Sequence, residues 1–163
     1  MTPEKLKRET EDLRYPSAGK KDGITLRTFG DFEVFCNGSP VLFKYKKTKE
    51  LLAYLVDRNG ALVASGDIMA VLWEDDDDKS NYLKQLKHDL KNTLSELGYE
   101  HIIVKQRGSI GILKDAVFCD YYEWLKGNRR GTNAYRGEYM NQYSWAEITH
   151  AALESKSQHF KSY

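Results

Sequence analysis

Several features that define common classes of protein are absent from this sequence. No apolar run approaches the roughly 18 residues that cross a bilayer, and the opening MTPEKLKRETED is too polar for a secretory signal. Cysteine is scarce, because Cys36 and Cys119 stand far apart and without the histidine clusters of a zinc motif. We therefore expect a cytoplasmic protein whose two cysteines are reduced, structural thiols.

Sequence patterns of catalysis are absent as well. The histidines have no cysteine or carboxylate partner at the spacing of a zinc site or catalytic triad; they are His88, His101, His150 and His159. Gly108 and Gly111 belong to a predicted hairpin and not to a phosphate-binding loop. We expect no enzyme, no catalytic residue, no cofactor, no metal site and no small-molecule substrate.

The charge of the chain is balanced overall but unevenly distributed. The 163 residues carry a formal net charge of only +1, which by itself argues weakly against nucleic-acid binding. Five acids are consecutive, namely Glu74, Asp75, Asp76, Asp77 and Asp78. Outside this run, residues 24–114 have an excess of lysine and arginine, much of it around Lys84–Lys91. Such segregation creates a local field that the net charge conceals.

The chain divides into a linker (1–23), a central domain (24–114) and an aromatic-rich helical extension (115–163). The linker contains a short predicted helix that begins at Pro3. From Ile24 the apolar residues alternate, and Asn37-Gly38 predicts a tight hairpin turn. Val41–Phe43 is predicted to be the next strand. The central domain therefore begins with a small antiparallel sheet.

Three predicted helices follow the sheet. The first spans Lys47–Asn59 and ends at Gly60. The second starts at Ser65 or Asp67, and its predicted inward residues are Ile68, Val71, Leu72 and Trp73. The third spans Lys79–Leu97, with Asp78 or Ser80 as its cap and an apolar stripe of Leu83, Leu86, Leu90, Leu94 and Leu97. A hairpin over residues 102–114 comes next. This order predicts an α+β winged helix-turn-helix fold with a hairpin wing and a short helical tail.

The third helix and the hairpin carry the candidate binding residues. The face opposite the leucines presents Asn81, Gln85, His88 and Asn92, whose amides and imidazole suit base edges. Lysines suited to phosphates accompany them, at Lys79, Lys84, Lys87 and Lys91. At the hairpin, Lys105 and Arg107 belong to the second candidate site, in which Arg107 suits a narrow minor groove. Because the helix contains no arginine, we expect a site that favours A·T pairs. The alternative is an ordinary solvated helix face and turn.

The acidic run Glu74–Asp78 cannot lie on DNA, since like charges repel. Three interpretations of the run remain open: a solvated turn, a surface for a basic protein partner and a transient metal site. The metal site is the weakest of the three, because a closed site needs ligands from several elements.

Four segments resemble the OmpR/PhoB-type winged helix in its SARP-like variant: ITLRTFGDFEVFCNG, KTKELLAYLVDRNG, DIMAVLW and NYLKQLKHDLKNTL. DYYEWLKG and YRGEYMNQYSWAE resemble the opening of the bacterial transcriptional activator domain. The resemblance implies a regulator that binds double-stranded DNA, with tandem protomers on direct repeats and RNA polymerase contacted by Glu74–Asp78. Residues 1–23 are similar to the segment after a receiver domain, which implies a two-component response regulator as parent protein.

Two other functions remain open at this point. The first is a winged helix used for protein contact without DNA binding. The second is an RNA-binding module, which the lack of exposed aromatic pairs on a sheet disfavours.

Overall fold

The structure is a computed structural model that describes residues 22–75, 77–128 and 133–161. The helix predicted at Pro3 lies outside these residues. The strands are β1 (Ile24–Arg27), β2 (Glu33–Cys36), β3 (Ser39–Pro40), β4 (Val63–Ala64), β5 (Ile103–Gln106), β6 (Ser109–Ile112) and β7 (Val117–Cys119). The helices are α1 (Lys46–Asp57), α2 (Ser65–Leu72), α3 (Ser80–Leu97), α4 (Asp120–Leu125) and α5 (Glu147–Lys161). The mixed α+β class is confirmed.

The first sheet has the order β3-β2-β1-β7. The predicted hairpin is present, because Asn37 and Gly38 have φ values of 50° and 86° and β1 pairs antiparallel with β2. The strand predicted at Val41–Phe43 is wrong. Pairing with β2 occurs at Ser39–Pro40 instead, and Leu42 is 87% exposed because the chain turns away towards α1.

β7 was not anticipated from the sequence. This three-residue strand pairs parallel with β1, aligning Leu26 with Cys119. Its pattern is too short to register as an alternation, and a parallel partner is distant in sequence. The sheet therefore includes a strand from beyond residue 114.

The helices follow the predicted order with small corrections. α1 ends at Asp57, two residues before the predicted end, and the turn after it contains Asn59 and Gly60 at positive φ. Val71 and Trp73, predicted to point inward, are only half-buried, because α2 is short and Trp73 follows its last residue. Leu97 is 39% exposed rather than buried, since it lies in the last turn of α3 at the edge of the core.

Residues of the extension pack into the same hydrophobic core as the sheet and helices. The Tyr122 hydroxyl donates to the Val56 carbonyl at 2.6 Å, and the Tyr139 hydroxyl donates to Asp57 at 2.7 Å. The Met140 N–H donates to the Thr28 carbonyl at 2.8 Å. The predicted helical character of the extension is present in its described residues, which include α4 and α5.

Asp120 joins the extension to the end of β1. Its carboxylate accepts hydrogen bonds from the Thr28 N–H at 2.9 Å, the Thr28 hydroxyl at 2.6 Å and the Phe29 N–H at 3.0 Å. The Tyr121 N–H adds a fourth bond at 2.8 Å. Burial raises the pKa of Asp120, and these donors oppose the rise by stabilising the charged form. One side chain therefore satisfies most of the polar groups at this corner.

Asp120→Ala leaves several part-buried donors without an acceptor, so we expect it to lower the free energy of unfolding by about 3 kcal/mol. Asp115→Ala is the matched control, because Asp115 is exposed in the preceding turn, and it should change stability by less than about 0.5 kcal/mol. Urea denaturation measures both. Equal stability losses in the two variants would contradict the role given to Asp120.

Candidate nucleic-acid interface

α3 is positioned by its leucines. Leu83, Leu86, Leu90 and Leu94 are buried, and the helix packs against α1 and α2. α3 begins at Ser80, one residue later than predicted, and its N-cap is Lys79, so the cap predicted at Asp78 or Ser80 is wrong. The Asp78 carboxylate instead accepts the Ser80 N–H at 2.9 Å just before the helix. At its end, Gly98 has a φ of 84°, the left-handed conformation that commonly ends helices. Both ends of α3 are thus determined by local sequence.

The opposite face of α3 is exposed and polar. The predicted base-reading residues all lie on it, namely Asn81, Gln85, His88 and Asn92. Lys84 and Lys91 are exposed beside them. His88 and Asn92 hydrogen-bond to each other at 3.0 Å across one helical turn, which holds the two side chains together. The structure therefore groups six of the predicted residues on one surface.

Lys87 differs from its predicted exposure. Its ammonium donates to the Ser65 hydroxyl at 2.8 Å, and the residue is half-buried beneath the hairpin. Burial, and the positive charge of Lys105, lower the pKa of Lys87. The side chain therefore joins α3 to the start of α2 and lies near the hairpin.

The hairpin formed by β5 and β6 is the predicted wing. Its turn consists of Arg107 and Gly108, with φ values of 49° and 80°, as a type I′ turn requires. Lys105 and Arg107 are exposed. The Ser65 hydroxyl is 3.4 Å from the Gly108 carbonyl, and β4 adds a third strand beside β6. The hairpin is thus attached to the helices at its tip as well as at its base.

A groove lies between α3 and the hairpin. Its cavity volume is about 220 Å³, and three lysines line it, namely Lys87, Lys91 and Lys105. Glu100 also lines this groove, with its carboxylate 3.7 Å from the Lys91 ammonium. Both partners are about half exposed, so the ion pair adds little stability. Three lysines against one glutamate leave the groove with a net positive charge.

Lys79 is drawn away from the other lysines. It precedes α3, and its ammonium lies 3.5 Å from the Asp75 carboxylate and 5.4 Å from the centre of the Tyr82 ring. Only 19% of its side chain is exposed. Lys79 is therefore associated with the acidic run and not with the basic groove.

The acidic run lies at the N-terminal end of α3. Glu74, Asp75, Asp77 and Asp78 are exposed, while Asp76 lies outside the described residues. Hydrogen bonds from the Ser80 hydroxyl and N–H lower the pKa of Asp78. Negative charge is favourable at this end of a helix, so part of the run has a structural role.

Two residues of this region were missed in the sequence. Ser65 was considered only as a helix start, although its hydroxyl contacts both Lys87 and Gly108. Glu100 had no role assigned to it. Neither carries a local signal, because each acquires its contacts only when the hairpin folds back on α3.

Two further findings on the described part of the chain concern metal binding and membrane spans. Within residues 22–75, 77–128 and 133–161, no three histidine, cysteine or acidic side chains are grouped to bind a metal ion. In the same ranges, no helix has both the length and the apolar character of a membrane span.

The chain is a winged-helix-like α+β protein, as its two sheets and five described helices show. A similar solved structure is that of Mycobacterium tuberculosis EmbR in complex with a low-affinity phosphopeptide, with a TM-score of 0.63 and 16% sequence identity. The similarity covers 82% of this chain and 42% of the EmbR chain, so this chain corresponds to less than half of that protein. Identity this low shows a shared fold alone. No family model and no curated protein matches the sequence.

Gly111 is required where the hairpin meets the chain before β4. A methyl group at this position would lie 2.7 Å from the Ala61 carbonyl oxygen, a backbone atom that cannot easily move. We expect Gly111→Ala to destabilise the protein by about 1–3 kcal/mol. Gly66→Ala, which meets nothing within 4 Å in α2, should instead be neutral or stabilising by up to about 1 kcal/mol. Thermal denaturation of the two variants would reveal this opposite behaviour, and a neutral Gly111→Ala would disprove the close approach.

Proposed function

We propose that this chain binds double-stranded DNA as the effector portion of a bacterial transcription regulator. The observation that supports the proposal most strongly is the exposed face of α3, where amides and lysines stand together beside a basic hairpin. A helix of 18 residues is about 27 Å long and fits the roughly 12 Å wide major groove. The proposal assigns no catalytic reaction to the chain.

In this arrangement the two kinds of residue on α3 have different tasks. Gln85 and Asn92 are suited to paired hydrogen bonds with adenine in the major groove. Lys84 and Lys91 are suited to the phosphates on either side, which orient the helix without reading sequence. Lys87 is less accessible and contributes charge to the groove.

The hairpin extends the interface beyond α3. Arg107 stands at its exposed tip, where it can enter a minor groove. A·T-rich DNA has a narrow minor groove with a more negative potential, which attracts arginine. The side chains of α3 and the hairpin thus support the same preference for A·T pairs.

Further features of the proposal rest on the resemblance to OmpR/PhoB-type and SARP-like regulators. They are a tandem homodimer on direct repeats, contact between the exposed acids of 74–78 and RNA polymerase, and a cytoplasmic parent protein of a two-component system. The exposed acidic run favours a protein partner as a second candidate function, in which the fold serves protein contact without DNA.

The first experiment is selection of bound sites from a randomised duplex pool, followed by affinity for the selected site across a salt series. If about four lysines neutralise phosphates, log K should fall against log[salt] with a slope of about −3 to −4. Recovery of an A·T-rich motif with this slope would support the proposal. Absence of both enrichment and salt-dependent binding would favour the protein-contact function.

Lys84→Ala and Gln85→Ala separate phosphate contact from base reading. Lys84→Ala should weaken all duplexes similarly and reduce the salt slope by about 1. Gln85→Ala should lose about 1–3 kcal/mol of discrimination at a single base pair. Lys126→Ala, at an exposed lysine of the extension, should leave affinity unchanged. Uniform losses from both α3 variants would refute base reading by Gln85.

Arg107 occupies a backbone conformation that asparagine adopts more easily, as Asn37 does in the first hairpin. Arg107→Asn should therefore stabilise the fold by up to about 1 kcal/mol while weakening duplex binding. Thermal denaturation and a binding titration on the same variant measure the two effects. A stabilised variant with undiminished affinity would show that Arg107 is not in the interface.

A further inference from the structure

A connected set of polar contacts runs from the extension to the end of α2. The Trp145 indole N–H donates to one carboxylate oxygen of Glu50 at 2.9 Å. The Lys47 ammonium binds the other oxygen of Glu50 at 3.0 Å. Lys47 also donates to the Leu72 carbonyl at 2.5 Å. Four residues from three separate parts of the chain are thereby linked through one carboxylate.

Glu50 is placed so that movement of the extension changes its contact with Lys47 and, through Lys47, with the end of α2. Its side chain is only 14% exposed, and each of its oxygens has a different partner. Hydrogen bonds to an ionised group are stronger and geometrically stricter than neutral ones. A shift of the Trp145 indole therefore moves the Glu50 carboxylate, which is the anionic partner of the partly exposed Lys47.

At the other end of this set of contacts, Lys47 lies at the C-terminus of α2. The last carbonyls of a helix carry partial negative charge, so an ammonium there stabilises the helix end. The ammonium also lies 5.9 Å from the centre of the Trp73 ring, the first residue after α2. Lys47 thus contacts both the last residue of α2, Leu72, and the first residue after it, Trp73.

Around Trp145, the extension is held in place by contacts with α1 and with the residue just before β2. Tyr143 stacks on Trp145 with ring centres 5.2 Å apart, and Tyr54 of α1 packs edge-on at 5.3 Å. The Gln142 side-chain amide pairs with the backbone of Phe32, accepting at 2.8 Å and donating at 3.1 Å. Residues 142–145 therefore have a defined position from which to constrain Glu50.

We propose that Glu50 is a positioning residue through which residues 142–145 control the conformation of the end of α2, at Leu72 and Trp73, and thereby the entry into α3. Through this coupling the extension regulates how α3 is positioned for contact with duplex DNA. This inference rests on the proposed DNA binding. A partner or an adjoining part of a longer protein that displaces Trp145 would release Lys47 from its position at the end of α2.

The test is hydrogen–deuterium exchange of the full chain, comparing Lys47→Met with Lys49→Met. Both lysines lie on α1, but Lys49 pairs with Glu33 and not with Glu50. Lys47→Met should accelerate amide exchange in residues 73–80 by about 3-fold or more, without changing exchange in β1. Lys49→Met should leave residues 73–80 unchanged. Equal acceleration in both variants, or none in Lys47→Met, would overturn the proposal.

Trp145→Phe and Glu50→Gln test whether the contacts act in series. Trp145→Phe retains an aromatic ring but removes the indole N–H, whereas Glu50→Gln retains an acceptor for that N–H but removes the charge that binds Lys47. Each should accelerate exchange in residues 73–80. The double variant should be no faster than the faster single variant, because residues that act through one connection are not additive. Additive acceleration would overturn the serial connection through Glu50.

Duplex affinity of the same variants completes the test. Lys47→Met and Trp145→Phe should weaken binding by about 3-fold, and Lys49→Met should not. Faster exchange with unchanged affinity would overturn the control of α3 by the extension. If the unsubstituted chain binds no duplex, the proposed function is overturned, whereas the exchange results still decide whether Glu50 positions the end of α2.

Discussion

Burial of Leu83, Leu86, Leu90 and Leu94 against α1 and α2 orients every other side chain of α3. Each buried leucine contributes about 1.5–3 kcal/mol relative to exposure, so rotation of the helix about its axis would be costly. The polar face of α3 makes few packing contacts of its own. It is exposed because the leucines on the opposite face are buried. The candidate interface is therefore a consequence of core packing, and the hairpin is added to it by the contacts of Ser65.

The extension depends on the same core. β7 completes the first sheet beside β1, and Asp120 immediately after it satisfies the backbone at the end of β1. Tyr122 and Tyr139 then bring polar contacts to the end of α1. These contacts connect the extension to the helices that carry the candidate interface, and the contacts through Glu50 and Lys47 reach Leu72 and Trp73 at the end of α2.

Charge acts locally in this protein. A net charge of +1 conceals a basic groove between the middle of α3 and the hairpin and an acidic run that precedes the N-terminus of the same helix. The two regions are separated along α3, and Lys79 is associated with the acidic one. Because exposed charges interact weakly beyond about 10 Å at moderate salt, the groove and the acidic run can engage different partners.

Local patterns in the sequence were sufficient to predict the hairpin at Asn37-Gly38, the buried leucines of α3 and the polar face opposite them. These features depend on turn geometry and helical period, which neighbouring residues determine. Exposure of Leu97 was mispredicted because a periodic stripe does not show where the packing partner ends.

Tertiary structure alone decided which distant residues meet. Thr28 and Asp120 are 92 positions apart, and Glu50 and Trp145 are 95 apart, yet each pair forms a direct hydrogen bond. Three further contacts also depend on tertiary structure: the parallel pairing of β7 with β1, the hydrogen bond of Lys87 with Ser65, and the association of Lys79 with Asp75. The sequence by itself determined the three central helices, the first hairpin and the buried leucines of α3, because turn geometry and helical period are local. The contacts between distant residues arise only from the packing of the elements, which no periodicity within one segment encodes.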